Sequence, residues 1–147
     1  MHRLLEWVAP ATPSKAPHTW SDAQRAAVAE LFGLDAAQVS QAHTAAAGIL
    51  TGQGAWAWDA SALAWHGNEV ALQSRGQLLR IDRLVQRRDT GEWWVLDYKS
   101  TAAPQTHTAL CKQLRTYQAA VALAYAGQTV HAAFLTPQGA LIELTPE

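Results

Sequence analysis

The sequence has 147 residues, of which 49% are hydrophobic and 16% charged, and its formal net charge is −1. This composition predicts one globular domain of ordinary size rather than a disordered chain. The low net charge supplies no overall basic field, which counts modestly against DNA binding. The single cysteine, Cys111, excludes an internal disulfide, a zinc site of several cysteines and a four-cysteine iron–sulfur cluster. A reducing, cytoplasmic setting is therefore expected.

Capping residues and hydrophobic spacing predict three helices in the first half of the chain. Residues 2–9 form a helical turn or two, and residues 10–19 form a proline-containing loop. Ser21 caps an alanine-rich helix that Gly33 ends, and Asp35 caps a third helix that runs to about position 50. The predicted core positions on these helices are Val28, Leu31, Val39, Ala46 and Leu50.

From position 55 onward the pattern becomes that of β-strands. Two tight turns predict three antiparallel strands over about residues 67–73, 77–87 and 92–100. A long helix over about residues 106–126 follows, then a strand over residues 129–136 and a last short strand. The helix is suited to a right-handed crossover that brings the next strand in parallel. The order predicts an α/β domain, in which a mixed sheet (antiparallel meander, crossover helix, further strand) is flanked by helices.

The third predicted strand ends in an unusual pattern, Trp93-Trp94-Val95-Leu96-Asp97-Tyr98-Lys99-Ser100. Strand periodicity places Asp97 and Lys99 on the face that also carries Trp93 and Val95. A buried charge is costly unless it is paired or bound to a metal ion. An ion pair at the end of a strand explains this pair equally well when it is considered alone.

A second carboxylate, Asp82, lies on the neighbouring strand across one hairpin from Asp97. The two carboxylates are predicted to meet at one end of the sheet, where their repulsion raises the pKa of one unless a cation lies between them. Oxygen ligands of this kind suit Mg²⁺ or Mn²⁺. Lys99 is placed to hold an attacking water or stabilise developing negative charge. Asp82, Asp97 and Lys99 are therefore candidate catalytic residues for metal-assisted phosphodiester hydrolysis.

Three motifs in this order resemble the PD-(D/E)xK nuclease superfamily. They are Ile81-Asp82-Arg83, Asp97-Tyr98-Lys99 and Gln113-Leu114-Arg115-Thr116-Tyr117. The chain is similar in particular to the RecB-type nuclease domain at the C-terminus of the RecB and AddA helicase–nucleases. The segment His2-Arg3-Leu4-Leu5-Glu6 resembles the first-helix motif of that family. The resemblance covers nearly the whole chain, although residues 10–65 match only in general helical character.

The resemblance implies a restriction-endonuclease-like core and a role for each matching residue. It implies His2, Asp82, Asp97 and the backbone carbonyl of Tyr98 as ligands of Mg²⁺ or Mn²⁺. It also implies Lys99 as the catalytic lysine.

Further residues are assigned to the surroundings of the site, with alternatives left open. Gln113 and Tyr117 lie four residues apart on one helical face, which in the family borders the site and the DNA path. Tyr117 could equally be a core residue, whereas a buried Gln113 amide would need hydrogen-bond partners. Glu69 matches an acidic position and is either a metal ligand or a carboxylate near the site. The remaining histidines are interpreted as structural or exposed: His18, His43, His66, His107 and His131. Three tryptophans are either packing residues or platforms for bases: Trp56, Trp58 and Trp65.

The resemblance implies a metal-dependent DNA nuclease, in particular an exonuclease of RecB/AddA-type recombination and double-strand-break repair. Its expected partners are DNA, as a single strand delivered by a helicase, and the helicase portion or a partner subunit. Its expected location is the bacterial cytoplasm, at the nucleoid and not at a membrane. Residues 1–147 are expected to form one nuclease domain, a fragment of a longer helicase–nuclease. The alternatives are a non-catalytic DNA- or partner-binding module of this fold, and an unrelated α/β domain with a chance D-Y-K.

Overall fold

The computed structural model describes residues 1–11 and 18–145, so most of the loop expected over residues 10–19 lies outside the described part. The described residues form four α-helices and five strands. The helices are α1 (His2–Glu6), α2 (Asp22–Phe32), α3 (Ala36–Thr51) and α4 (Thr108–Ala124), and short 3₁₀ turns cover Ala55–Trp58 and Pro104–Thr106. The strands are β1 (Leu63–Ser74), β2 (Gln77–Arg87), β3 (Trp93–Tyr98), β4 (Val130–Leu135) and β5 (Leu141–Glu143).

Capping boxes begin α2 and α3, as the sequence predicts. The side chains of Ser21 and Asp35 each accept a hydrogen bond from the backbone N–H three residues later, and the glutamine at that position returns one. Gly33 ends α2 in the left-handed conformation, with φ of 61°, which a side chain would disfavour. The starts of both helices are therefore confirmed.

The five strands form one mixed sheet in the order β1-β2-β3-β4-β5. The pairs β1–β2, β2–β3 and β4–β5 are antiparallel, whereas β3 and β4 are parallel and are joined through α4. The predicted α/β architecture, with its antiparallel meander and crossover helix, is confirmed. No helix in the two described ranges is long and apolar enough to cross a membrane.

The sheet separates two apolar cores. The core on one side contains Leu4 and Leu5 of α1, Val28 of α2, and Ile49 of α3. The core on the other side packs β2, β3 and β4 against α4. Leu31 was predicted to be a core residue, which is wrong: it is 60% exposed, because α2 buries little beyond Val28 against its neighbours.

Strands β2 and β3 separate before they reach Asp82 and Asp97. Their ladder ends at the pair Arg83–Leu96, whereas β3 stays paired with β4 as far as Tyr98. Strand β2 instead stays paired with β1 down to the hairpin turn. The divergence opens the sheet between the two strands at the position where the two aspartates project.

Candidate active site

Asp82 and Asp97 lie together where β2 and β3 diverge. Asp97 is only 4% exposed, and burial, followed by the hydrogen-bond contact with Asp82, raises its pKa to about 7. Burial alone would raise the pKa of Asp82 too, but hydrogen bonding to His2 and contact with Asp97 lower it below its ordinary value. The two carboxyl groups therefore behave as a pair that retains one proton in mildly acidic solution.

Lys99 gives this pair one positive charge. Its Nζ lies 3.3 Å from Asp97 Oδ2, and its backbone N–H donates to the carbonyl of Leu135 on β4, which fixes its position after β3. The Lys99–Asp97 contact is an ion pair rather than a hydrogen bond, so Asp97 Oδ2 is buried without a hydrogen-bond partner among the described residues. Such an oxygen is costly to desolvate, and direct coordination of a divalent cation would offset that cost.

His2 reaches the carboxylates from α1. Its Nε2 lies 3.1 Å from Asp82 Oδ2, and this hydrogen bond is the main reason that the pKa of His2 is raised. The short helix is held in place because Leu4 and Leu5 are fully buried and the Leu4 carbonyl accepts a hydrogen bond from the Trp20 indole. The histidine is thus presented to the site despite its place near the beginning of the chain.

Tyr98 presents its backbone to the site. Its N–H donates to Asp82 Oδ2 at 2.9 Å. Its ring is buried in the core on the α1 side of the sheet, stacked near Trp58 with a centroid distance of 6.1 Å. Burial raises the pKa of the Tyr98 hydroxyl well above its ordinary range. The structure therefore brings together His2, Asp82, Asp97, Lys99 and the Tyr98 backbone.

The outer candidates border the same site. Glu69, on β1, has a φ of 47°, which is uncommon for a residue other than glycine. Burial, followed by repulsion from Glu6 and Asp82, raises the pKa of Glu69. On α4, burial and then the charges of Asp97 and Asp82 raise the pKa of Tyr117, which also contacts the Gln113 side chain.

The sequence comparisons agree with this geometry at the level of the family. The family model of the PD-(D/E)XK nuclease superfamily matches residues 1–143. The chain belongs to this superfamily. Membership implies a nuclease, and PD-(D/E)XK nucleases generally use divalent metal ions. No individual curated protein matches the sequence significantly.

One residue of this PD-(D/E)XK domain was not anticipated as important. Arg83, next to Asp82, is fully buried and donates from Nε and Nη2 to the Ala57 carbonyl and from Nη1 to Asn68 Oδ1. Asn68 in turn donates to the Glu6 carbonyl, so the network ties β2 and β1 to the helix that carries His2. Arg83 belongs to the motif Ile81-Asp82-Arg83, but nothing in the sequence indicates that its side chain is buried.

The tryptophans of the PD-(D/E)XK domain serve mainly in packing. Trp58 is buried and lies under the Arg83 guanidinium, 4.6 Å from the ring centroid, and Trp56 packs edge-on against Trp94. Trp65, at 41% exposure, lies against Trp93. Base stacking by any of them stays a prediction.

The donor set of the PD-(D/E)XK site suits a hard divalent cation, because it combines two carboxylates with an imidazole nitrogen. Within residues 1–11 and 18–145, however, no group of three or more His, Cys, Asp or Glu side chains is arranged to hold a metal ion. His2 and Asp82 contact each other directly, so an ion held between them would need the two side chains to separate. The Asp97 oxygen that makes no hydrogen bond within the described residues fits a cation by its chemistry.

Proposed function

We propose that this PD-(D/E)XK domain is a deoxyribonuclease that uses Mg²⁺ or Mn²⁺ to hydrolyse phosphodiester bonds. The observation that supports the proposal best is the buried Asp97 Oδ2, which lies beside a second carboxylate and a lysine but lacks a hydrogen-bond donor among the described residues. Burying two neighbouring carboxylates, one of which has an oxygen without a hydrogen bond, is costly and is typical of a site arranged for a ligand.

In this proposal, His2, Asp82, Asp97 and the backbone carbonyl of Tyr98 would hold the divalent ion. When bound, the ion would supply Lewis-acid chemistry that neutralises charge on the scissile phosphate and favours attack by water. The Lys99 ammonium either orients the attacking water or stabilises the negative charge that develops on the phosphoryl oxygens. Its contact with Asp97 keeps it on the site side of β3.

We further propose the finer assignment to an exonuclease of RecB/AddA-type recombination and repair in the bacterial cytoplasm, acting on a single strand delivered by a helicase. The motif around His2 and the Gln113–Tyr117 pair support it. The position of that pair beside the carboxylates suits contact with the strand. A closed circular single strand, which has no free end, tests this assignment. We expect it to remain uncut, and its degradation would indicate an endonuclease instead.

Cleavage of a linear single-stranded DNA in the presence of Mg²⁺, Mn²⁺ or EDTA tests the proposed chemistry. We expect cleavage with either metal and none with EDTA, and we expect Lys99→Ala and Asp97→Ala each to lower the rate by roughly 10²–10⁴-fold. Matched controls are Arg25→Ala and Glu30→Gln, which remove a charge on α2, a helix that carries no assigned site residue. Cleavage in EDTA, or full activity in both site variants, would contradict the mechanism.

One observation favours a second candidate, a non-catalytic module that binds DNA or a partner chain. The direct pairing of His2 with Asp82 at 3.1 Å uses two of the proposed metal ligands to satisfy each other. Calorimetric titration with Mn²⁺ separates the two functions. Saturable binding that Asp82→Ala abolishes supports the nuclease, whereas no detectable binding by a folded protein supports the non-catalytic module.

A further inference from the structure

A groove of about 520 Å³ lies between the tip of the β1–β2 hairpin and helix α4, outside the set of residues assigned to the catalytic site. Its volume falls in the range of pockets that bind small molecules or single nucleotides. Its apolar floor is formed by Leu79 on the hairpin and by Ala119, Ala120 and Leu123 on α4.

The polar part of the groove is basic. Arg75 at the hairpin turn and Lys112 and Arg115 on α4 are among its lining residues, and no lining residue that the structure describes is acidic. This contrasts with the whole chain, in which Asp and Glu slightly outnumber Lys and Arg. Arg115 donates to the Thr145 carbonyl at 2.9 Å, which holds its guanidinium at the wall. Arg75 and Lys112 are exposed to solvent. The groove is therefore locally positive, although the net charge of the whole chain is slightly negative.

The groove and the catalytic carboxylates lie at the same end of the sheet. Leu79 in its floor precedes Asp82 by three strand residues, about 10 Å along β2. On the helix, Lys112 and Thr116 line the groove, and each immediately precedes a residue of the Gln113–Tyr117 pair that borders the site. A strand crossing the carboxylates can therefore continue into the groove without leaving the protein surface.

We propose that this groove binds the phosphodiester backbone of a single DNA strand next to the scissile phosphate. Arg75 and Lys112 contact phosphate oxygens, and the apolar floor contacts sugars or bases. A basic groove that follows the backbone is how proteins hold single strands without sequence preference. The proposal rests on the nuclease function, because DNA is preferred here over an acidic peptide on account of the continuity with the catalytic carboxylates.

Binding of a fluorescein-labelled oligothymidylate to the full chain tests the groove without requiring catalysis. Anisotropy is measured in EDTA, which prevents metal-dependent hydrolysis, over a series of salt concentrations. For single strands, each lost phosphate contact lowers the slope of log affinity against log salt by about 0.7. We therefore expect a loss of about 0.7 for Lys112→Gln, the same for Arg75→Asn, and about 1.4 for the double variant.

The variants are chosen to preserve the fold. Both side chains are exposed, and asparagine suits position 75 because the backbone there has a φ of 50°. Arg25→Gln, on α2 across the sheet, is the matched control for loss of one positive charge, and we expect an unchanged slope. An unchanged slope in the double variant would overturn the proposal. So would competition by polyglutamate as effective as competition by unlabelled oligothymidylate of equal charge.

Turnover of the same oligonucleotide with Mg²⁺ or Mn²⁺ separates this proposal from the nuclease function. We expect the double variant to raise KM while leaving kcat close to that of the wild type. Wild-type binding without cleavage in any metal would refute the nuclease but leave the groove intact. Wild-type cleavage with an unchanged KM in the double variant would refute the groove but leave the nuclease intact.

Discussion

The two ends of the central sheet each hold a histidine in contact with carboxylates. The two ends differ in how completely the polar atoms there are paired with hydrogen-bond partners. At the end where β3 and β4 begin, His131 bridges two glutamates. Its Nε2 contacts Glu92, its Nδ1 lies 2.6 Å from Glu143 Oε1, and its ring stacks on Trp94 with a centroid distance of 4.3 Å. Both ring nitrogens have partners, and all three charged side chains remain partly exposed.

At the end where β2 and β3 diverge, His2 contacts Asp82, which lies beside Asp97. Both carboxylates are more buried than the two glutamates, although the His2 side chain itself is 45% exposed. Here Asp97 Oδ2 is buried without a hydrogen-bond donor in the described part of the chain, and the Asp97 pKa is raised to about 7. A satisfied cluster near the surface adds modestly to stability. Two buried carboxylates side by side, one of which has its pKa raised, cost stability, which is typical of a site that is arranged for a ligand. The contrast is therefore between a structural histidine and a candidate metal ligand.

The largest effect that distinguishes the two histidines should be on metal affinity. We expect His2→Ala to weaken Mn²⁺ binding by at least about tenfold, because a nitrogen ligand is lost. The same titration of His131→Ala should give the wild-type affinity, because Glu92 and Glu143 lie at the other end of the sheet. Equal loss in both variants would mean that the effect comes from destabilisation rather than from ligation.

A smaller effect should appear in the stability of the metal-free protein. The folded-state pKa of Asp97, about 7, lies above its ordinary value, so protonation favours the folded state and stability falls as pH rises from about 4 through 7. Asp97→Asn removes this ionisation, and we expect it to raise the free energy of unfolding by roughly 1–2 kcal/mol at about pH 8.

Urea denaturation in EDTA measures this gain, which should disappear in acid, where wild-type Asp97 is already protonated. Asp89→Asn is the control with the opposite sign, because its hydrogen bond with Arg87 lowers the Asp89 pKa and no gain is expected. A loss of stability in Asp97→Asn at alkaline pH would show that the Asp97–Lys99 ion pair outweighs the cost of burial.

Local sequence signals were sufficient to predict most of the fold. The capping residues Ser21 and Asp35 identified the starts of two helices, and the bounds of β2, Gln77–Arg87, were predicted as observed. The meeting of Asp82 and Asp97 follows from the same information, because a tight hairpin fixes which residues lie opposite. The separation of β2 and β3 at that point does not follow, because nothing in the local sequence indicates where the β2–β3 ladder ends while β3 stays paired with β4.

Contacts between residues far apart along the chain could not be predicted from the residue pattern alone. His2 lies 80 residues from Asp82 along the chain, and only the resemblance to the nuclease family indicated that they meet. The motif that includes Arg83 gave no indication of its buried network with Ala57 and Asn68, because these partners are a backbone carbonyl and a side-chain amide. His131 was interpreted as structural or exposed, but its two glutamates, 39 and 12 residues away, could not be identified.

The smallest expected effect sharpens the assignment of His131 as structural. Burial lowers the pKa of His131, but the hydrogen bonds with Glu92 and Glu143 raise it above the ordinary value. A raised pKa means that the contribution to stability is complete below the unfolded-state pKa of about 6.5 and is lost as pH rises through the higher folded-state value. Because the three side chains are partly exposed, screening limits this contribution to roughly 0.5–1 kcal/mol.

Urea denaturation of His131→Gln should therefore show a loss of stability at acidic pH that shrinks as pH rises above neutrality, with nuclease activity unchanged. In the background of Glu92→Gln and Glu143→Gln, His131→Gln should cause no further pH-dependent loss, because the carboxylates that favour the imidazolium are gone. A loss that is independent of pH would instead assign the role of His131 to stacking on Trp94. Charge would then play no part at this end of the sheet, and the contrast with the aspartate cluster would rest on burial alone.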